Sequence, residues 1–446
     1  MSTLRRLGVP FFTALVAPLL PGQDLLPKAP PQTAPVVLEN AVLHTVTGGI
    51  VLGGTLWFHD GTIRGVLPAG AALQLPSGAT PVVHDLHGKH VFPGMLAVGS
   101  TLGLVEVGMV RQTNDTDETG EMSPEVLAAV AANPDSAALP IARSNGVLAA
   151  VVFPQGGLLP GRASVLQLDG WTNADLTVRA DAGPVVAWPA QAGADRGRRG
   201  PRGPAAGAEP ADATKKARQR IDDAFAAARA WLDAFVADPS LPIDIRHQAL
   251  VPALRGEVPV FLLADEQEQI ESAVLWARSR HLRAVIVGGR GAVSCASLLT
   301  DHDVPVVITG VHRLPRRDDL PYDEPFTLPK ALADLGVRFC LATGSDFSNE
   351  RNLPYHAATA VAFGLDADRA LAAITADAAA ICGVGDRLGA LAVGKDATLF
   401  VADGHPFELT TKVEMAFVQG RQVDLRNKQT ELAKKYRERY RQLRGK

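Results

Sequence analysis

Between about residues 91 and 382, continuous apolar runs alternate with alanine-rich segments of helical character, and few architectures accommodate that rhythm. GVLAAVVFP, VPVFLLA, LRAVIVGG, VPVVITG and VRFCLATG read as strands buried on both faces. The stretches that follow them, such as the one beginning at Asp265, read as helices packed on those strands. A span of roughly 250 residues suits a single eight-stranded barrel. A doubly wound open sheet stays open as the alternative, because periodicity does not show whether a sheet closes.

The flanks have a different character. Residues 31–92 alternate short β-rich runs with turn signals, and Asp60-Gly61 between Trp57-Phe58 and Ile63 is the strongest hairpin cue, since a tight two-residue turn wants positive φ at both centres. Residues 383–424 return to strands. The expected architecture is therefore α/β: a (β/α)8 TIM-like barrel over 93–382, with a small composite β-sandwich from the N- and C-terminal segments. Residues 190–216, rich in Gly, Ala, Pro and Arg, lack an apolar period and read as a disordered insertion. An amphipathic helix is expected from about 221 to 236. Residues 428–446 form a charged C-terminal helix, expected to dock through Leu432, Tyr436 and Tyr440.

Lys plus Arg number 44 against 47 Asp plus Glu, a formal net charge of −3 that supports neither a nucleic-acid surface nor a polyacidic tail. Cys295, Cys340 and Cys382 are too scattered for a disulfide framework or a zinc knuckle and read as buried thiols. No run reaches the ~20 apolar residues of a membrane span. At the N-terminus, Arg5 and Arg6 precede an apolar stretch broken by Pro10 and Pro18 and then polar Gln23 and Asp24. That order is the pattern of an export signal over about residues 1–22, and implies a periplasmic or extracellular location.

The eleven histidines show no clustering in sequence. His84, His87 and His90, spaced by three in a β context, point to differing faces and read as surface residues. His312 follows a strand end, where barrels keep functional groups, and His356 begins a helix a little further on. A set of His312, Asp346 and His356, with Arg351 beside it, is the candidate site for one metal or an anionic ligand; Asp346 in Ser345-Asp346-Phe347-Ser348 reads equally well as a cap. Glu106, Arg111 and Asp115, in the long acidic loop after the first barrel strand, either line the mouth or are solvated. No phosphate-cradling loop, Gly-x-Ser-x-Gly elbow or Cys–His pair stands out.

Lys89 to Gly94 (KHVFPG), the β/α middle and the segment with Gly389, Leu391, Gly394, Lys395, Asp396, Ala397 and Leu399 together resemble the amidohydrolase superfamily, especially its imidazolonepropionase-like branch. The likeness runs from about residue 35 to the end of the second motif, in which Thr398 replaces the usual acidic residue. It implies a zinc or other divalent site fed by a His-x-His pair on the first strand, histidines closing later strands, and an aspartate after the eighth. Gly99 and Thr101 stand at the pair, Ala97 at its preceding Asp, and Leu263 and Gly288-Gly289 at the later histidine positions. None of these side chains ligates zinc as imidazole does. The nearest equivalent of the aspartate is Gly344 or Asp346, so Asp346 is the candidate catalytic residue.

Two functions follow as expectations. In the first, the usual metal site is degenerate, no cofactor is held, and the chain is a non-catalytic or weakly active protein binding a small molecule. In the second, the chain hydrolyses a carbon–nitrogen bond, such as a cyclic amide, with an atypical site around Asp346. An assembly role for the C-terminal helix is a third option.

Overall fold

The structure, a computed structural model, describes residues 26–190, 210–315, 320–344 and 347–444. The expected signal over 1–22 and most of the 190–216 insertion lie outside the described residues.

The N-terminal strands are β1 (Val36–His44), β2 (Ile50–His59), β3 (Thr62–Leu67), β4 (Val82–Asp85) and β5 (His90–Pro93). The Asp60-Gly61 hairpin forms as expected, with φ of 50° and 71° at its two centres. The barrel strands follow: β6 (Met95–Ser100), β7 (Val147–Val152), β8 (Gly161–Gln167), β9 (Thr177–Ala187), β10 (Val260–Ala264), β11 (Ala284–Gly288), β12 (Val306–Thr309) and β13 (Phe339–Ala342). The chain then closes with β14 (Leu399–Ala402), β15 (Val413–Val418) and β16 (Arg421–Gln422).

The terminal segments share one sheet in the order β16-β15-β14-β5-β1-β2-β3, with β4 on the first half of β1. Its seam is β14 antiparallel to β5, placing Phe400 opposite Phe92 and Val401 opposite Val91. Leu38, Leu56, Phe58, Ile63, Leu399 and Phe417 fill its core. The sequence motif at 389–399 makes the return possible. Gly389 sits at φ +89° where a Cβ would lie 2.8 Å from the Thr375 carbonyl, and Asp396 pairs with Arg387 at 2.7 Å.

The second sheet runs β13-β12-β11-β10-β9-β8-β7-β6, and its end strands β6 and β13 come together, so the barrel is nearly closed. Leu96, Val98, Val151, Phe153, Val165, Phe261, Val285 and Val307 fill its interior, with Phe153 and Phe261 rings 4.9 Å apart. Ala378, Ile381 and Leu388 extend that cluster. The barrel departs from strict β/α repetition at one place: β8 is antiparallel to both β7 and β9. Those three strands form a meander with no crossover helix of barrel size.

Helix Pro210–Ala237 begins earlier than the expected 221, so residues 210–216 of the supposed insertion are helical. It buries Ile221, Phe225, Ala228 and Leu232, a helical stripe. Helix Lys428–Arg444 buries none of its residues; of the three expected docking residues, Leu432 lines a cleft with Leu26, Pro134 and Leu139, while Tyr436 and Tyr440 are exposed. All three cysteines are buried free thiols, and among the described residues no helix is long and apolar enough to cross a membrane.

A buried ionic knot ties the two sheets. Asp169 takes Arg143 on one oxygen and Arg421 of β16 on the other, each at 2.8 Å, and also accepts the Ala29 backbone N–H at 3.3 Å. Arg143 and Asp169 are almost wholly buried.

Candidate functional site

In a barrel the strands deliver side chains to the mouth at their C-terminal ends. At the end of β6 the register shifts between Val98 and Ser100, and Gly99 takes φ +71°. A Cβ built on Gly99 would meet only the Phe153 ring, at 4.0 Å, so the position opens toward the apolar interior. Thr101 is buried and lines a cleft of about 450 Å³ with Gln155, Phe347, Ser348 and the loop carrying Asn114 and Thr116. Of that loop's candidates, Arg111 and Asp115 are exposed, and Glu106 turns away to accept the Ala137 backbone N–H.

Leu263, near the end of β10, is half-buried against the interior cluster. Gly288 ends β11 at φ +118°, and a Cβ there would fall 2.5 Å from Asp265 Oδ1. The space that a side chain would occupy is thus used by Asp265, which faces Arg290 at 3.5 Å. An ion pair stands beside the positions at which the resemblance places imidazole ligands. Among the described residues no group of three or more His, Cys, Asp or Glu is arranged to hold a metal ion. The donor set at these strand ends, with Gly99, Thr101, Leu263 and Gly288, does not fit a zinc or similar ion, which needs about three protein ligands.

Polar chemistry gathers instead past β12 and β13. The His312 and His356 rings lie with centroids 4.0 Å apart, tilted by 30°. Thr359 donates its hydroxyl to the Tyr355 carbonyl (2.9 Å), which leaves its oxygen to accept from His312 Nε2 at 2.7 Å. His356 is buried, and its Nδ1 has no hydrogen-bond partner among the described residues. Burial, with the neighbouring His312, lowers the His356 pKa to about 3; burial also lowers that of His312, opposed by the Tyr355 carbonyl. Both rings are neutral at pH 7, so they offer hydrogen bonding and a flat surface rather than positive charge.

Of the candidate set, the structure brings His312 and His356 together. Asp346 lies outside the described residues. Arg351 is exposed, with its carbonyl accepting from Asn145 Nδ2. A residue the reading missed is Glu350, 2% exposed, whose carboxylate accepts the Thr343 hydroxyl at 2.7 Å just past β13. Only its place four residues beyond Asp346 hinted at it.

Histidines that do not cluster in sequence do so in space. His44 Nε2 lies 2.9 Å from His90 Nδ1, and the His405 ring stands edge-on to His44 at 5.9 Å. His44 and His90 are 46 positions apart and meet only because β5 pairs with the end of β1. Burial lowers the His44 pKa to about 4, helped by the other two rings.

The Amidohydrolase family model matches residues 292–423, the part that carries β12, β13 and the return into the terminal sheet. An amidohydrolase structure from Thermotoga maritima MSB8 superposes with TM-score 0.73 at 23% identity, covering 88% of this chain and 100% of that one. Over residues 292–423 the chain is similar in sequence to the amidohydrolase family, and its fold is that of the solved amidohydrolase. A prolidase complexed with N-methylphosphonate-L-proline gives TM-score 0.53 at 18% identity over 88% of this chain and 100% of its own. Molinate hydrolase gives 0.56 at 14% over 90% and 96%. No curated protein matches the sequence. The chain shares the fold of these structures, and among the described residues no group of three or more His, Cys, Asp or Glu is placed to hold a metal ion.

Proposed function

We propose that this chain is a metal-depleted amidohydrolase that binds a small molecule at the C-terminal face of its barrel and has little or no hydrolytic activity. The observation that carries the reading is the set of strand ends: Gly99, Thr101, Leu263 and Gly288 stand where the sequence resemblance puts the ligands, and Asp265 with Arg290 fills the space beside Gly288. Without metal, an attacking water keeps the acidity of bulk water, and the largest source of nucleophile activation in such sites is missing. The neutral His312–His356 pair and the Thr101 cleft supply hydrogen bonds and stacking suited to a flat, uncharged amide-like ligand.

Placement in an imidazolonepropionase-like branch, export through the N-terminal segment and substrate-binding roles for His312, His356 and Arg351 belong to the same proposal. A second reading, hydrolysis of a cyclic amide with Asp346 as base, is favoured by the buried polar pair Thr343–Glu350 that brackets that residue in sequence. The two separate cleanly. Protein incubated with zinc and dialysed should hold far less than one ion per chain by elemental analysis and should not turn over a panel of lactams and dipeptides. Stoichiometric zinc, with turnover abolished in Asp346→Ala, would replace the first reading by the second.

A further inference from the structure

The C-terminal helix is barely packed among the described residues: its first two turns, through Lys428, Glu431, Leu432 and Lys435, line a cleft with Leu26, Pro134 and Leu139. Helix Lys428–Arg444 has no buried residue, yet Leu432, Tyr436, Tyr440 and Leu443 recur at the spacing that places them on one face, 41–54% exposed. Its charge is arranged around that stripe. Seven cations stand against two carboxylates. Both carboxylates fall on the side opposite the stripe at 100° per residue, and both are neutralised there, Glu431 by Lys434 at 2.8 Å and Glu438 by Arg441 at 2.7 Å. The cations flanking the stripe, Lys428, Lys435, Arg437, Arg439 and Arg444, make no ion pair among the described residues; Arg439 lies over the Tyr440 ring instead.

We propose that this helix lies on an anionic lipid surface, apolar face inward. The ordering of side chains around the helix is the argument: leucine and tyrosine at the centre, unpaired cations at the margins to meet lipid phosphates, and neutralised glutamates on the far side, where Glu431 faces the body of the chain. A second copy of the chain is a poorer fit, since two such faces would bring their unpaired cations together. The helix is too polar to cross a bilayer, so the contact is interfacial and reversible.

The full chain should co-sediment with vesicles made of equal parts phosphatidylglycerol and phosphatidylcholine, not with pure phosphatidylcholine, and salt should release it. Lys435→Glu with Arg439→Glu should lower the partition coefficient at least about tenfold, given roughly fivefold for each cation lost. Tyr436→Ser with Leu443→Ser should lower it as well, and neither pair should move the melting temperature, because none of the four side chains is buried. Three outcomes overturn the proposal: equal sedimentation with neutral vesicles; undiminished binding by both variants, which assigns attachment to another segment such as residues 7–20; or a dimer in solution that Tyr436→Ser dissociates.

Discussion

His356 concentrates the conflict between burial and titration in this protein. Its imidazole is buried against His312 with one nitrogen unpartnered among the described residues, and its pKa falls to about 3. In the unfolded chain a histidine titrates near 6.5. Between those values the unfolded state binds more protons, so stability is full above about pH 6.5 and is lost as pH falls toward 3. At pH 5 the loss from this residue is about 2 kcal/mol. His44, lowered to about 4, acts in the same direction over an overlapping window. His356→Gln removes one titration, and urea unfolding at pH 7 and pH 5 should then show a pH dependence smaller by about 2 kcal/mol; an unchanged slope would mean that the ring is not held neutral. The strand-end position of His312 and the helix start at His356 were visible in the sequence. Their 4.0 Å approach was not, since it depends on how the helix after β13 folds back over the end of β12.

Among elements, β9 shows how a glycine can serve a neighbouring strand. Gly183 has φ +129°, and a Cβ on it would lie 2.0 Å from the carbonyl oxygen of Pro259, just before β10. Gly183→Ala should therefore cost about 2 kcal/mol or more, combining a backbone region that L residues avoid with a clash against main chain. Gly70→Ala is the control. Gly70 is also left-handed, at φ +75°, but nothing lies within 4 Å, so thermal unfolding should register only about 1 kcal/mol. The strands themselves were legible as apolar runs, and the hairpin at Asp60-Gly61 as turn chemistry. The reversal of β8 was not, because a strand buried on both faces looks the same in sequence whichever way it runs. The apolar stripe of the last helix was equally legible, but whether it docks depends on surfaces elsewhere in the chain.

At the scale of the whole molecule, the barrel and the terminal sheet are held in register by Asp169, buried between Arg143 and Arg421. Asp169→Ala leaves two guanidinium groups facing each other with their shared anion gone. The expected loss is about 3–5 kcal/mol, read as a drop in the denaturant midpoint, with Arg421→Lys milder because a cation still reaches the site. The periodicity of residues 91–382 and the β-rich flanks determined by themselves that this chain builds a β/α layer with an attached sheet, since burial patterns are written locally, two or four residues at a time; the near-closure of that layer into a barrel came from the meeting of β6 and β13. The sequence likewise determined that Gly99, Thr101 and Leu263 offer no imidazole, because donor chemistry belongs to the residue type. Tertiary structure decided the rest: the Asp265–Arg290 pair in the space beside Gly288, the buried Glu350, the His44–His90–His405 cluster and the exposed face of the last helix. Each depends on residues distant in the chain, or on backbone turns, meeting within a few ångströms, a distance that no local pattern encodes.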